Sequence, residues 1–175
     1  MDKDMKELFT KYADYNQLMN AHIISAMHAL GYDTVIENQL SFFPSIFSTM
    51  NHIMVGDLIW LNRFLGLKKF ESLALLDDFI KPTKLDQPIT DNLISYQEYR
   101  EALDKLIIDF IVECDEKDFI SELHYTNTSG KKFSKNFGFL VSHLFNHQTH
   151  HRGQVSTLLN QKKLNIGVTD FLQVI

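Results

Sequence analysis

The chain has 175 residues, enough for one domain around one core. Apolar residues make up 45% and charged ones 22%, the balance of a globular and not a disordered chain, and the formal charge of -5 argues against the dense basic face of a nucleic-acid binder. A lone cysteine, Cys114, excludes an internal disulfide, and the longest apolar run, Phe137–Val141, falls far short of the roughly 20 residues of a membrane-spanning helix.

The first residues, Met1-Asp2-Lys3-Asp4, mix both charge signs and do not read as an export signal, so the expectation is a cytoplasmic protein with no membrane partner. From Leu8 to Leu30, apolar residues at Leu8, Tyr12, Tyr15, Met19, Ile23, Met27 and Leu30 trace one helical stripe, and Gly31 is a natural stop. A second helix is expected from near Pro44 to Gly66, since proline fits a first turn. The stretch Gly66–Thr90 carries Pro82 and Pro88 and reads as a long connection, with a short helical turn around Glu71–Leu76. A third helix follows from about Asp91 to Cys114, on a stripe of Leu93, Tyr96, Tyr99, Leu103, Leu106, Phe110 and Ile111. Ile120–Thr126 looks extended, Asn127-Thr128-Ser129-Gly130 is a turn signal, and Lys131–Ser134 can pair back as a small hairpin. The fourth helix runs from about Asn136 to Gln161, with Lys162 and Lys163 at its negative pole. Four long helices with one crossover predict an all-α, single-domain four-helix bundle over residues 1–175.

The chemistry concentrates in the fourth helix. Four of the eight histidines, His143, His147, His150 and His151, fall within nine positions. Residues four apart on a helix differ by about 40° in direction and about 6 Å in height, so two such imidazoles can meet one metal ion. His143/His147 and His147/His151 both satisfy that spacing, and His147 belongs to each pair. A third ligand must come from elsewhere: His52 in the middle of the second helix is the foremost candidate, with His22, His28 and His124 as alternatives. Zinc-protease helices place a glutamate after the first histidine; Gln148 stands there instead, which argues against a peptidase.

Two stretches together carry a family resemblance. Phe47–Phe64, with Asn51-His52 and Asp57-Leu58-Ile59-Trp60 inside it, and Asn146-His147-Gln148-Thr149-His150-His151-Arg152-Gly153-Gln154 resemble the two signatures of the DinB (damage-inducible) family. Tyr12, Tyr15-Asn16 and Asp170-Phe171-Leu172 extend the likeness over nearly the whole chain. The resemblance implies a four-helix bundle with a long crossover, often dimeric, and a divalent metal ion held by His52, His147 and His151. His143 and His150 are then neighbours rather than ligands.

Three neutral imidazoles leave a coordination position open, as in a catalytic zinc site. Zinc or nickel suits them as cofactor. With no glutamate after His147, activation of a thiol is more attractive than hydrolysis, and the resemblance adds thiol-dependent isomerases and S-transferases among related branches. The expected function is a metal-dependent thiol transferase acting in stress or detoxification, with a small-molecule thiol and an electrophile as partners. A non-catalytic metal-binding stress protein is the alternative. Asp57 lies five residues from His52 and is expected to pair with Arg63 or to serve helix packing. Arg152 and Gln154 flank His151 and can orient a substrate or support the fold. Finally, the second helix carries apolar residues on more than one side, which predicts a homodimer unless the Gly66–Thr90 connection covers the surplus.

Overall fold

Four long helices dominate the computed structural model, which describes residues 5–175. Helix α1 spans Met5–Leu30 and stops where expected: Gly31, at φ 81°, takes the left-handed conformation that a side chain resists. A one-turn helix α2 (Tyr32–Val35) follows, which apolar spacing was too short to reveal. Helix α3 spans Ile46–Phe64. Its cap is Ser45 rather than Pro44: the Ser45 and Ser48 side chains each accept from the other's backbone N–H, satisfying two donors that the first turn would otherwise waste.

The long connection contains a 3-10 turn over Ser72–Asp78, close to the short turn expected there. Helix α4 spans Leu93–Glu113, capped by Asn92 through the Ser95 N–H at 2.9 Å, and a single turn, α5 (Glu116–Phe119), follows it. Strands β1 (Glu122–Thr126) and β2 (Lys132–Asn136) form the anticipated antiparallel hairpin, with Tyr125 opposite Phe133. Helix α6 spans Phe137–Gln161 and is capped by Asn136. A last 3-10 turn covers Phe171–Val174 and lays Phe171 against Tyr12 and Tyr15 of α1.

The chain is therefore mostly helical. Helix α1 packs on α4 and α6, and α3 packs on α6 and α4, so that buried side chains from all four join one core. Helix α3 is the most deeply enclosed. Ile46, Met50, Ile53, Met54, Leu58, Leu61 and Phe64 are all inaccessible to solvent, and burying such a side chain contributes about 1.5–3 kcal/mol. The apolar surplus of this helix is covered within the chain, so the expectation of a partner copy no longer rests on α3.

The crossover is tied down beside the histidines. Asn51 Oδ1 accepts from the Ile89 N–H at 2.9 Å and the Thr90 N–H at 3.0 Å, and the His52 ring reaches the Leu85 carbonyl. Two adjacent residues of α3 thus hold the far end of a long loop against the helix. No helix among the described residues is long and apolar enough to cross a membrane.

Candidate metal centre

Helix α6 presents His143, His147 and His151 as one stripe, and α3 crosses it with His52 and Gly56. The structure brings three of these rings together: one nitrogen each from His52, His147 and His151 lies within 4.8 Å of the others. Ring centroids are 5.0 Å apart for His52 and His147, 4.7 Å for His52 and His151, and 4.5 Å for His147 and His151. His143 is displaced toward Trp60, at 5.1 Å, and His150 turns to Gln154, at 3.2 Å. His28 bonds Gln97 on α4, and His124 lies on β1; neither these nor His22 belongs to the cluster. Of the two i,i+4 pairs, the geometry gathers His147 and His151 with His52 and leaves His143 outside the cluster.

Hydrogen bonds orient two of the rings. His52 Nδ1 donates to the Leu85 carbonyl at 2.8 Å, and His151 Nδ1 donates to Gln154 Oε1 at 2.8 Å, an assignment made from the carbonyl character of both acceptors. Each bond leaves Nε2 as the lone-pair nitrogen, the arrangement by which outer partners prepare a metal-ligating imidazole. His52 Nε2 and His147 Nε2 stand only 3.1 Å apart, while His147 Nδ1 is buried with no hydrogen-bond partner. An all-imidazole donor set whose ring nitrogens converge in this way is compatible with one divalent ion.

Burial pushes all three histidines below their ordinary range. The effect is largest for His147, which falls to about 3 through desolvation and then the neighbouring His151 and His52. His52 and His151 are also lowered chiefly by burial, against the Leu85 and Gln154 hydrogen bonds that pull them back up. Neutral imidazole is the form that ligates, so the site is ready for metal at neutral pH. The same shift makes metal-free protein acid-sensitive. In the unfolded chain His147 protonates near 6.5, whereas in the fold it resists, so stability present above that pH is lost as pH falls toward the folded value. Between pH 7 and pH 5 the loss from this ring approaches about 2 kcal/mol unscreened and about 1 kcal/mol after allowing for its solvent contact. Urea midpoints of chelator-treated protein at the two pH values measure it, and equal midpoints would contradict it.

Gly56 is what lets α3 approach α6 here. A Cβ built on it would lie 2.7 Å from His147 Cε1 and 3.1 Å from Nδ1, so the imidazole occupies the space that a side chain would fill. The signal was present in the sequence, one turn beyond His52, because glycine inside a helix commonly marks close approach. Gly56→Ala is expected to push the His147 ring aside and weaken metal affinity at least about tenfold, on the scale of lost outer-sphere support. Equilibrium metal titration against a chelating dye checks this; unchanged affinity would show that the ring adjusts freely.

One residue further along, the same helix pair builds a buried polar network. Asp57 does not pair with Arg63. It accepts instead from Arg100 Nη1 of α4 at 2.5 Å and from Gln148 Nε2 at 2.6 Å, with all three side chains fully buried. Arg100 Nη2 also lies 2.9 Å from Asp104 Oδ1, an ion-pair contact bent away from hydrogen-bond geometry. Asn16 and Asn20 of α1 donate to Asp104 at 3.0 and 2.9 Å, and Arg152 donates to Asn16. Burial pushes both carboxyls up against the pull of Arg100, and it lowers Arg152 to about 10. Gln148, which replaces the protease glutamate, therefore points into the interior and away from the three rings. Arg152 supports the fold; Gln154 supports His151.

The cluster opens on one side into a cavity of about 570 Å³ lined by Phe42, Phe43, Pro44, Leu85, Asp86 and His150, besides His52, His151 and Gln154. Phe43 stacks on the His52 ring, with centroids 4.0 Å apart and planes at 24°. Asp86 is a carboxylate at this cavity that the spacing of histidines could not reveal, since it arrives on the crossover. It lies outside the three-histidine cluster.

A model of the DinB family matches residues 1–172 of the chain. Protein DinB of Bacillus subtilis (strain 168) is 24% identical over 168 residues, covering 95% of this chain and 93% of that protein. No solved structure gives a significant match. With the family pattern running through almost every residue, both signatures included, the chain belongs to the DinB family.

Proposed function

We propose that the protein is a metal-dependent thiol S-transferase, acting in stress or detoxification, on a four-helix bundle with a long crossover. It holds one divalent ion, zinc or nickel, through His52, His147 and His151. The observation that carries this reading is three converging imidazoles, two of them, His52 and His151, lining an open cavity, with no carboxylate among the cluster. A divalent ion so held supplies Lewis acidity that lowers the pKa of a thiol reaching it, so that the thiolate is available at neutral pH.

The chain's own groups do the rest. Leu85 and Gln154 keep the two Nδ1 protons in place, so His52 and His151 cannot rotate their lone pairs out of the site. Phe42, Phe43, Pro44 and Leu85 give the cavity an apolar wall that shields a nucleophile from water and accepts the apolar part of an electrophile. Sulfur then forms the new bond to carbon while the leaving group departs with its electron pair. Asp86 and His150, both at the cavity, can take the thiol proton.

The test is a matrix of common low-molecular-weight thiols and reactive electrophiles, assayed with metal-loaded, chelator-stripped and reloaded protein. Turnover is expected only in the loaded and reloaded samples. Metal-replete protein that transfers no thiol to any electrophile would overturn the transferase reading. The alternative, a non-catalytic metal-binding stress protein, draws on the tight cover of Phe43 over His52 and would take its place.

A further inference from the structure

A second feature runs from the histidine cluster to the hairpin along the seam of α3 and α6. His147 faces His143 at 6.2 Å, His143 packs edge-on to Trp60 at 5.1 Å, and the Arg63 guanidinium lies over the Trp60 ring at 4.6 Å. Arg63 also lies 5.3 Å from the centre of the Tyr125 ring, which itself meets Trp60 edge-on at 5.4 Å, so the guanidinium packs against the corner that the two rings make. Tyr125 stacks on its cross-strand partner Phe133 at 5.5 Å, and Lys131 Nζ sits 5.3 Å from the centre of the Phe133 ring. Aromatic rings with two cations, Arg63 and Lys131, thus form one continuous ladder. Trp60, Arg63, Tyr125 and Phe133 are half-buried, and His143 is exposed, so the ladder is open to solvent along its length.

Arg63 is anomalous in this setting. The chain is acidic overall, and the other two arginines, Arg100 and Arg152, are buried among carboxylates and amides. The Arg63 guanidinium has neither an ion pair nor a hydrogen bond among the described residues; its contacts are the two aromatic rings. Contact with both rings holds the guanidinium at one place on the surface and leaves its N–H groups for a partner. A planar, half-desolvated fork with unused donors matches a carboxylate in bidentate geometry. The nearby cation of Lys131 reinforces the same sign. Position is informative too: Arg63 lies seven residues beyond Gly56, roughly 10 Å along the α3 axis from the level of the His147 ring.

We propose that Arg63, packed against Trp60 and Tyr125, anchors a carboxylate of the substrate, whose reacting end reaches the histidine cluster about 10 Å away. The substrate class is then an extended, carboxylate-bearing small molecule of short-peptide length, such as a peptide thiol, rather than a compact neutral thiol. The inference rests on the thiol-transferase reading for its chemistry, but the anchor can be tested without any thiol.

Trp60 is the single tryptophan, so intrinsic fluorescence reports on the neighbour of Arg63 directly. The probes are S-methylglutathione, which has carboxylates and no free thiol, and its dimethyl ester, in which those charges are removed. Titrated into the zinc-loaded protein, the acid is expected to quench with a Kd about tenfold lower than the ester, the difference of one charge-assisted contact. Arg63→Gln should abolish that preference while leaving ester affinity, metal content and far-UV circular dichroism unchanged. Arg63→Lys, which keeps charge but loses the fork, should retain part of it. Equal binding of acid and ester by the wild-type protein overturns the anchor. So does an Arg63→Gln variant that weakens both probes alike, because that outcome marks a purely structural clamp. A parallel titration of cobalt-loaded protein with free glutathione, read by its sulfur-to-cobalt charge-transfer absorption, separates the two proposals. Carboxylate-dependent quenching without such a band keeps the anchor and removes thiol activation; a band without carboxylate preference does the reverse.

Discussion

His147→Ala is expected to lose its metal ion under conditions where the unaltered protein stays loaded. His147 contacts both other rings of the cluster, and it supplies one of two ring nitrogens from α6. Partners outside the coordination sphere commonly contribute 10–100-fold to metal affinity, so removal of a ligand should cost at least about 100-fold. Gln154→Ala provides the graded comparison: it frees His151 Nδ1 without removing a ligand and should fall within that 10–100-fold range. Metal content after dialysis, with competitive titration for the affinities, distinguishes the two. The alanine variant carries a second signature. It deletes the ring whose burial holds its pKa at about 3, so much of the acid sensitivity of metal-free protein should vanish with it. If His147→Ala binds zinc as tightly as before, the three rings are not the metal centre.

Asp57→Ala should instead strike at the fold. Asp57 is fully buried and receives Arg100 and Gln148 at once, tying α3 to α4 and α6. Two aspartates and two arginines balance in this interior network, and deleting one carboxylate leaves Arg100 with only Asp104 as an anionic partner. Removing one partner of a buried ion pair typically costs 3–5 kcal/mol, which for a chain of this length lowers the melting temperature by roughly 10 °C. Asp57→Asn should cost less, because an amide oxygen can still accept one of the two hydrogen bonds. Calorimetric or circular-dichroism melts of the three proteins in parallel give the ordering. A small shift for Asp57→Ala would mean that water replaces the carboxylate and that the network is less closed than its burial indicates.

Much of the architecture was legible along the chain because its signals are local. Apolar stripes at three- and four-residue spacing marked α1, α4 and α6, and glycine and asparagine stood where helices stop and start. The hairpin announced itself through Asn127–Gly130. The i,i+4 histidines were equally local, since helical geometry alone places His147 and His151 on one face. The one-turn helices α2 and α5 were not legible, being too short for any period to register.

What the tertiary structure decided depends on which residues meet across helices. Arg63 and Arg100 are chemically equivalent partners for Asp57; packing of α4 against α3 sends Arg100 inward and leaves Arg63 against two rings on the surface. Gly56 became meaningful only when the His147 ring was found resting on it. Leu85 and Asp86 sit more than thirty residues from His52 on a loop without regular structure, and only the Asn51 and His52 hydrogen bonds bring that loop to the site. The sequence by itself determined the helices and the ring-bearing face of α6, because both follow from backbone period. The partner of each buried charge and the walls of the cavity were set by long-range packing, where many pairings satisfy the same local chemistry and only close fit selects one.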